Sequence, residues 1–342
     1  MTLPKASDDA WMAQRLAAPA GRCRVVIDTD AANEIDDPFA IAWALLAPER
    51  LEVLGVYAAP FSFAHRREAL VRRLGRAPRD ERPFAPPADG MARSVDEILR
   101  TFAAAGVDPA GRVLRGATGY MAAPHQARPC AAAEHLVALA RDTPADGPPL
   151  YVLALGCPTN IASALVMAPD IAERIVVVWT AAYPSHAPHA NASFNLEQDP
   201  AASRGLFDSG VPLVYLPGYH VGAQLRFSWP EAQAYLRGRG PLAEHLFELY
   251  THNPLWELAG VDGPFAHSWV IWDLICVAWL LQPAWVPSTL VRAPMLDDGL
   301  HWRHGHGRHL MREAHAVDRD AIFGDLLRRL HAVGGAAPAK PG

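Results

Sequence analysis

At 342 residues, 51% hydrophobic and 20% charged, the chain has the make-up of a globular protein with a large core and room for one large α/β domain. Its 31 basic and 36 acidic residues give a net charge of −5 without a basic cluster, which excludes a nucleic-acid footprint. The longest apolar run, Trp269–Leu281, is too short for a bilayer and carries Asp273; the N-terminal residues lack the apolar core of a signal peptide. Cys23, Cys130, Cys157 and Cys276 show no metal-binding spacing. A cytoplasmic chain with buried free thiols is expected.

In chain order, residues 1–21 read as a loosely held lead-in. Val25–Val26–Ile27 is a β-branched strand, and an amphipathic helix follows, with Phe39, Ala42, Leu45 and Leu46 on one face. Further strands are expected at Val53–Tyr57, Val113–Arg115, Leu150–Leu155, Ile175–Trp179, Leu213–Leu216 and Val286–Val291. Helices are expected at Ala64–Leu74, Ser94–Ala105, Ala131–Arg141, Thr159–Met167, Pro200–Phe207, Pro230–Arg237, Pro241–Tyr250, Ile271–Leu281 and Arg319–His331. The Arg-rich stretch Arg66–Arg76 reads as a solvated helix face, and residues 334–342 as a disordered tail. Alternating strands and helices with apolar strands predict a single α/β domain over residues 22–333, its mostly parallel open sheet covered by helices on both faces.

The densest chemistry lies in Val25–Leu46, where Asp28, Asp30, Asp36 and Asp37 fall within ten positions, at a strand end and the next helix start. A lone Asp there is usually a cap, and Asp37–Pro38 has the form of a helix N-cap followed by proline at the first helical position. Four close carboxylates repel one another unless a cation sits among them, and calcium tolerates such an oxygen-rich cage. Asp273 at the start of an apolar helix needs a partner or a metal. Gly156 in Leu153–Asn160 marks a turn at a strand end; Asn191 and Asn195, around SFNLEQDP, are hydrogen-bonding candidates for a polyhydroxylated ligand. His301, His304, His306 and His309 lack accompanying cysteines and read as an exposed hairpin rather than a zinc site.

Taken in order, DTD…DD, the LALGCPTN turn, FN…DP and the helix carboxylate resemble the nucleoside hydrolase family of the inosine–uridine-preferring type, across roughly residues 22–331. The resemblance implies its Rossmann-like fold and a calcium-dependent hydrolysis of a ribonucleoside N-glycosidic bond, with a small-molecule substrate and a homo-oligomeric (dimeric or tetrameric) assembly. It implies Asp30 as a calcium ligand that takes the proton from the attacking water, and Asp37, Asp273 and the Leu155 carbonyl as further ligands. Asp36 and Asn195 are implied ribose contacts, with Asp28 as support. Three departures stand out: five residues, Ala31 to Ile35, separate DTD from DD where the family has three; Ser193 replaces a glutamate; and Trp272 replaces a histidine that protonates the departing base. Ser193, Asn191 and Trp272 are therefore expected on the substrate, His220 and His267 are substitute acids, and Glu34 is expected to reshape the sugar side of the pocket. Strand–DTD is also similar to the start of haloacid-dehalogenase-like phosphatases, with a nucleophilic Asp28, and a non-catalytic, calcium-containing ligand-binding relative is the other alternative.

Overall fold

In the computed structural model, residues 8–261 and 267–335 are described. Twelve strands occur among them: β1 Cys23–Thr29, β2 Leu51–Ala58, β3 Val113–Arg115, β4 Leu150–Ala154, β5 Ile175–Ala181, β6 Leu213–Pro217, β7 Arg226–Ser228, β8 Ser268–Val270, β9 Ser288–Arg292, β10 Met295–Leu296, β11 Trp302–Arg303 and β12 Leu310–Ala314. Eight form the central sheet in the order β3-β2-β1-β4-β5-β6-β12-β9. Neighbours are parallel except β9, which runs antiparallel to β12 at the edge.

Successive strand residues point to opposite faces, so a sheet covered on both sides needs apolar residues at every position. Val25 and Ile27 of β1 enter one core while Val26 enters the other; Val176 and Val178 of β5 face Val177 and Trp179 in the same way. The first core is closed by the helices Asp36–Leu45, Leu274–Leu281 and Arg319–Gly334, the second by Ala131–Arg141, Thr159–Met167 and Pro200–Asp208. Every residue of Leu274–Leu281 is buried, as expected for a helix apolar on all sides.

Four expectations need correction. Residues 8–21 are not loosely held: Asp9–Arg15 is a helix capped by Asp8, Met12 and Leu16 are fully buried, and Arg312 donates to the Leu16 carbonyl. Asp37 is not an N-cap: the helix begins at Asp36 behind Ile35, so Asp36 and Asp37 both occupy its first turn. The apolar helix begins at Leu274 rather than Ile271, residues 271–273 forming the turn that links β8 to it. Strand β12 has no counterpart among the expected strands, yet it lies between β6 and β9. The expected tail from 336 onward lies outside the described residues, as do residues 1–7 of the lead-in.

Parallel strands bring their C-terminal ends to one edge, where an open α/β sheet leaves a crevice for ligands. Here the residues that follow β1, β4, β5 and β6 converge on one cavity.

Candidate functional site

The cavity holds about 580 Å³ of empty space, part of it open to solvent. Each strand end contributes: Asp30 after β1, Leu155 after β4, Ala182 after β5, and Gly218 with Tyr219 after β6. The helix Asp36–Leu45 adds Asp36 and Asp37, and Asp273 comes from the turn before Leu274.

The carboxylate oxygens of Asp36, Asp37 and Asp273 lie within 4.8 Å of one another, the one such metal-competent group among the described residues. Asp36, expected on the sugar, is thus part of the trio, and Asp30 stands outside it while lining the same cavity. All four are deeply buried, their relative exposures being 1%, 4%, 2% and 2% for Asp30, Asp36, Asp37 and Asp273. Asp37 accepts from the Thr29 hydroxyl. One oxygen each of Asp28, Asp30 and Asp273 is buried without a partner.

The electrostatics follow from this crowding. Burial first, then the neighbouring carboxylates, pushes Asp30, Asp36 and Asp273 well above the ordinary carboxylate range. Asp37 is pushed by burial to about 6, the Thr29 hydroxyl opposing the rise. Glu34 rises to about 7 by burial, against the Trp269 indole, which donates to its Oε2 at 3.0 Å. No Lys or Arg among the described residues bonds the trio or Asp30. Converging buried carboxylates with unshared lone pairs suit a hard divalent cation with oxygen ligands; the donor set fits.

Asp28 is fully buried and does not line the cavity. Its Oδ1 accepts from Asn160 Nδ2 at 2.7 Å, while Asn160 Oδ1 takes the Ala117 amide at 2.8 Å, and burial lifts Asp28 to about 7. It therefore supports the edge rather than offering a nucleophile. Gly156 has a steric reason: a Cβ there would lie 2.9 Å from Asp30 Oδ1 and 3.2 Å from the Asp30 amide nitrogen.

The expected substrate contacts separate. Asn195, Ser193 and Trp272 line the cavity. Asn195 Nδ2 donates to the Leu155 and Thr180 carbonyls, which leaves its Oδ1 as the free acceptor, and Ser193 Oγ accepts from the Ala182 amide. Asn191 is not at the cavity; it staples two loops, taking the Tyr183 amide at 3.2 Å and donating to the Leu300 carbonyl at 2.9 Å. His220 and His267 do not line the cavity either. His220 holds a left-handed backbone (φ 72°) beside Tyr183, its ring centroid 5.2 Å away, and the His267 ring lies 6.4 Å from that of Trp256. In the 301–309 hairpin, His304 Nε2 bonds the Ser185 carbonyl, and His309 is half-buried rather than exposed.

The structure adds residues the sequence did not single out: Thr29 and Asn160 as supports, Thr180 with a buried hydroxyl oxygen lacking a partner, and Arg66 and Tyr219 on the wall. Asn33 and Glu34 of the long spacer both line the cavity. Arg66 heads the stretch expected to be a solvated face, but turns inward over the Phe194 ring, 5.4 Å from its centroid.

The chain matches the family described as inosine-uridine preferring nucleoside hydrolase over residues 25–326. It is 29% identical over 265 residues to the non-specific ribonucleoside hydrolase RihC of Salmonella agona (strain SL483), covering 76% of this chain and 78% of that protein. The purine-preferring ribonucleoside hydrolase from Gardnerella vaginalis matches with a TM-score of 0.66 at 19% identity, over 92% of this chain and 100% of that one. The plant nucleoside hydrolase PpNRh1 gives a TM-score of 0.64 at 18% identity, over 91% and 99% of the two chains. The structural likenesses establish the shared fold, and the family match spans the strand ends and the carboxylates they carry. The chain belongs to the inosine-uridine preferring nucleoside hydrolase family and is a hydrolase acting on N-glycosyl compounds.

Proposed function

We propose that the chain hydrolyses the N-glycosidic bond of a ribonucleoside or a closely related N-riboside, giving free base and ribose, and that it does so as a calcium enzyme. The observation that carries this reading is the buried trio Asp36, Asp37 and Asp273, whose oxygens converge without a cationic partner among the described residues. Family membership sets aside the phosphatase and the non-catalytic alternatives.

Asp37, Asp273, Asp30 and the Leu155 carbonyl would hold the cation, with Asp36 near enough to share it. Bound there, it would supply positive charge to acidify a water and orient ribose hydroxyls. Asp30 accepts the proton of the attacking water; its unpartnered oxygen and buried setting favour that task. Asp36 and the free Oδ1 of Asn195 accept ribose hydroxyls and so place C1′. The remaining carboxylates stabilise the positive charge that grows on the sugar in an oxocarbenium-like transition state. Trp272, edge-on to Tyr219 with ring centroids 6.1 Å apart, offers an aromatic surface for the base.

The test is a calcium-supplemented panel of purine and pyrimidine nucleosides, scored by release of reducing sugar, with Asp30→Asn alongside. Turnover undiminished in that variant sinks the assignment of Asp30; turnover undiminished by a calcium chelator sinks the cation. The same reading makes the protein a cytoplasmic homo-oligomer. Its four free cysteines support a reducing compartment, and no helix among the described residues is long and apolar enough to cross a membrane. Sedimentation velocity tests the assembly.

A further inference from the structure

Breaking a bond from C1′ to nitrogen leaves the electron pair on the heterocycle, and that negative charge needs stabilising. No histidine among the described residues lines the cavity. Arg66 does, and it is the one basic side chain in the described lining.

Its position is fixed from three sides. Arg66 Nε donates to Glu197 Oε1, Nη2 donates to the Ala192 carbonyl at 3.0 Å, and the guanidinium lies over Phe194. Phe194 is itself stacked on Phe63, ring centroids 4.0 Å apart, and His65 Nε2 lies 2.7 Å from the same Glu197 Oε1. Nη1 has no hydrogen-bond partner among the described residues. A guanidinium locked by its neighbours, with one donor group left over, is a preorganised electrostatic device of the kind that stabilises developing charge.

The surroundings indicate which part of the substrate it meets. The acidic side of the cavity is rich in acceptors, which match sugar hydroxyls and the cation. Beside Arg66 stands Tyr219, whose hydroxyl reaches the same Ala192 carbonyl at 3.4 Å and whose ring packs against Trp272. Aromatic faces next to a spare guanidinium donor suit a flat heterocycle with acceptor atoms on its rim.

Resting on the nucleoside-hydrolase reading, we propose that Arg66 is a catalytic residue for the departing base, donating a hydrogen bond from Nη1 to a base heteroatom as the bond breaks. The C1′–N bond cleaves with its electrons passing to the base, water oxygen bonds to C1′, one water proton goes to Asp30, and the base takes its proton from solvent. A guanidinium does not release its own proton near neutrality, so Arg66 acts by charge and geometry alone.

The experiment compares kcat/KM for wild type, Arg66→Gln and Arg66→Lys, in calcium buffer, on inosine, on uridine and on p-nitrophenyl β-D-riboside. The nitrophenolate leaves without assistance while the sugar contacts stay the same. We expect Arg66→Gln to lose roughly a hundredfold on the nucleosides and to stay within about threefold of wild type on the nitrophenyl riboside. Equal losses on both substrate types, the signature of a sugar contact or of a damaged fold, overturn the proposal, as does an undiminished rate on nucleosides. If Arg66→Gln yields no folded protein, Arg66→Lys, which keeps the charge and loses the fork, is read by the same ratio: a selective loss on nucleosides supports the role and a uniform one overturns it. Wild type inactive on every substrate overturns the nucleoside-hydrolase reading itself, which is a different result from a uniform loss in the variants.

Discussion

Two sets of buried carboxylates in this chain have opposite surroundings. Glu313 and Asp199 are 6% and 0% exposed, and both are saturated. Glu313 takes the amide and the hydroxyl of Ser185; Asp199 takes the Thr159 hydroxyl and the amides of Met121 and Ala202. Asp30 and Asp273 are buried as deeply, but an oxygen of each has no partner and their neighbours are other carboxylates. Burial therefore does not mark a site here. What marks it is carboxylates crowded on one cavity with no cationic side chain between them among the described residues, two of them, Asp30 and Asp273, keeping an unfilled acceptor.

Opposite substitution effects would sharpen this contrast. The largest is expected in the trio: Asp37→Asn or Asp273→Asn lowers kcat/KM by roughly a thousandfold or more, the scale of losing transition-state charge stabilisation. In chelator, the same variants melt no lower than wild type, because a repelling charge has gone. A clear drop in melting temperature there would break the comparison. The saturated set behaves the other way: Asp199→Ala orphans several buried donors and costs on the order of 3 kcal/mol of stability in urea titrations. Wild type itself gains about 2.7 kcal/mol at a calcium concentration of about 100 times Kd, read as a rise in melting temperature that chelator reverses.

A smaller effect lies far from the cavity. His309 is held down to about 4 by burial first, then by Arg308 and Arg292. The unfolded chain takes up the proton near the ordinary histidine value of 6.5. The resulting stability is full above that value and is lost as pH falls toward 4, by on the order of 2 kcal/mol. His309→Phe should flatten this part of the pH–stability curve; an unchanged slope would show that another group carries it. The smallest expected effect is Asn191→Ala, which loses its loop staple at a cost of about 1 kcal/mol and leaves KM for nucleosides unaltered.

Part of the site is legible in the sequence because strand-end carboxylates are a local pattern. DTD and DD sit beside an apolar strand and an apolar helix, so their convergence follows without coordinates. Asp273 stands out because a charge at the head of an all-apolar helix is costly unless it is paired or bound to a cation. Strand β12 is hidden because Leu310–Ala314 carries Arg312 and Glu313, whose charges suggest water. The fold instead pairs them, Arg312 with the Leu16 carbonyl and Glu313 with Ser185. Arg66 is hidden for the opposite reason: five further arginines follow it up to Arg79, and only the fold shows which one turns inward. Asn191 and Asn195 are indistinguishable as loop asparagines; what separates them is whether the amide oxygen is used, which is a tertiary fact.

The close approach of Gly156 to Asp30 has a consequence for how variants of this protein will be interpreted. A scan of substitutions would rank position 156 with the acidic residues, although glycine brings no functional group, because any side chain there competes with Asp30 for the same space. The position of the proposed base is thus governed from a neighbouring turn. Gly156→Ala is accordingly a way to displace one carboxylate while leaving the charge inventory of the cavity intact, separating the contribution of placement from that of charge.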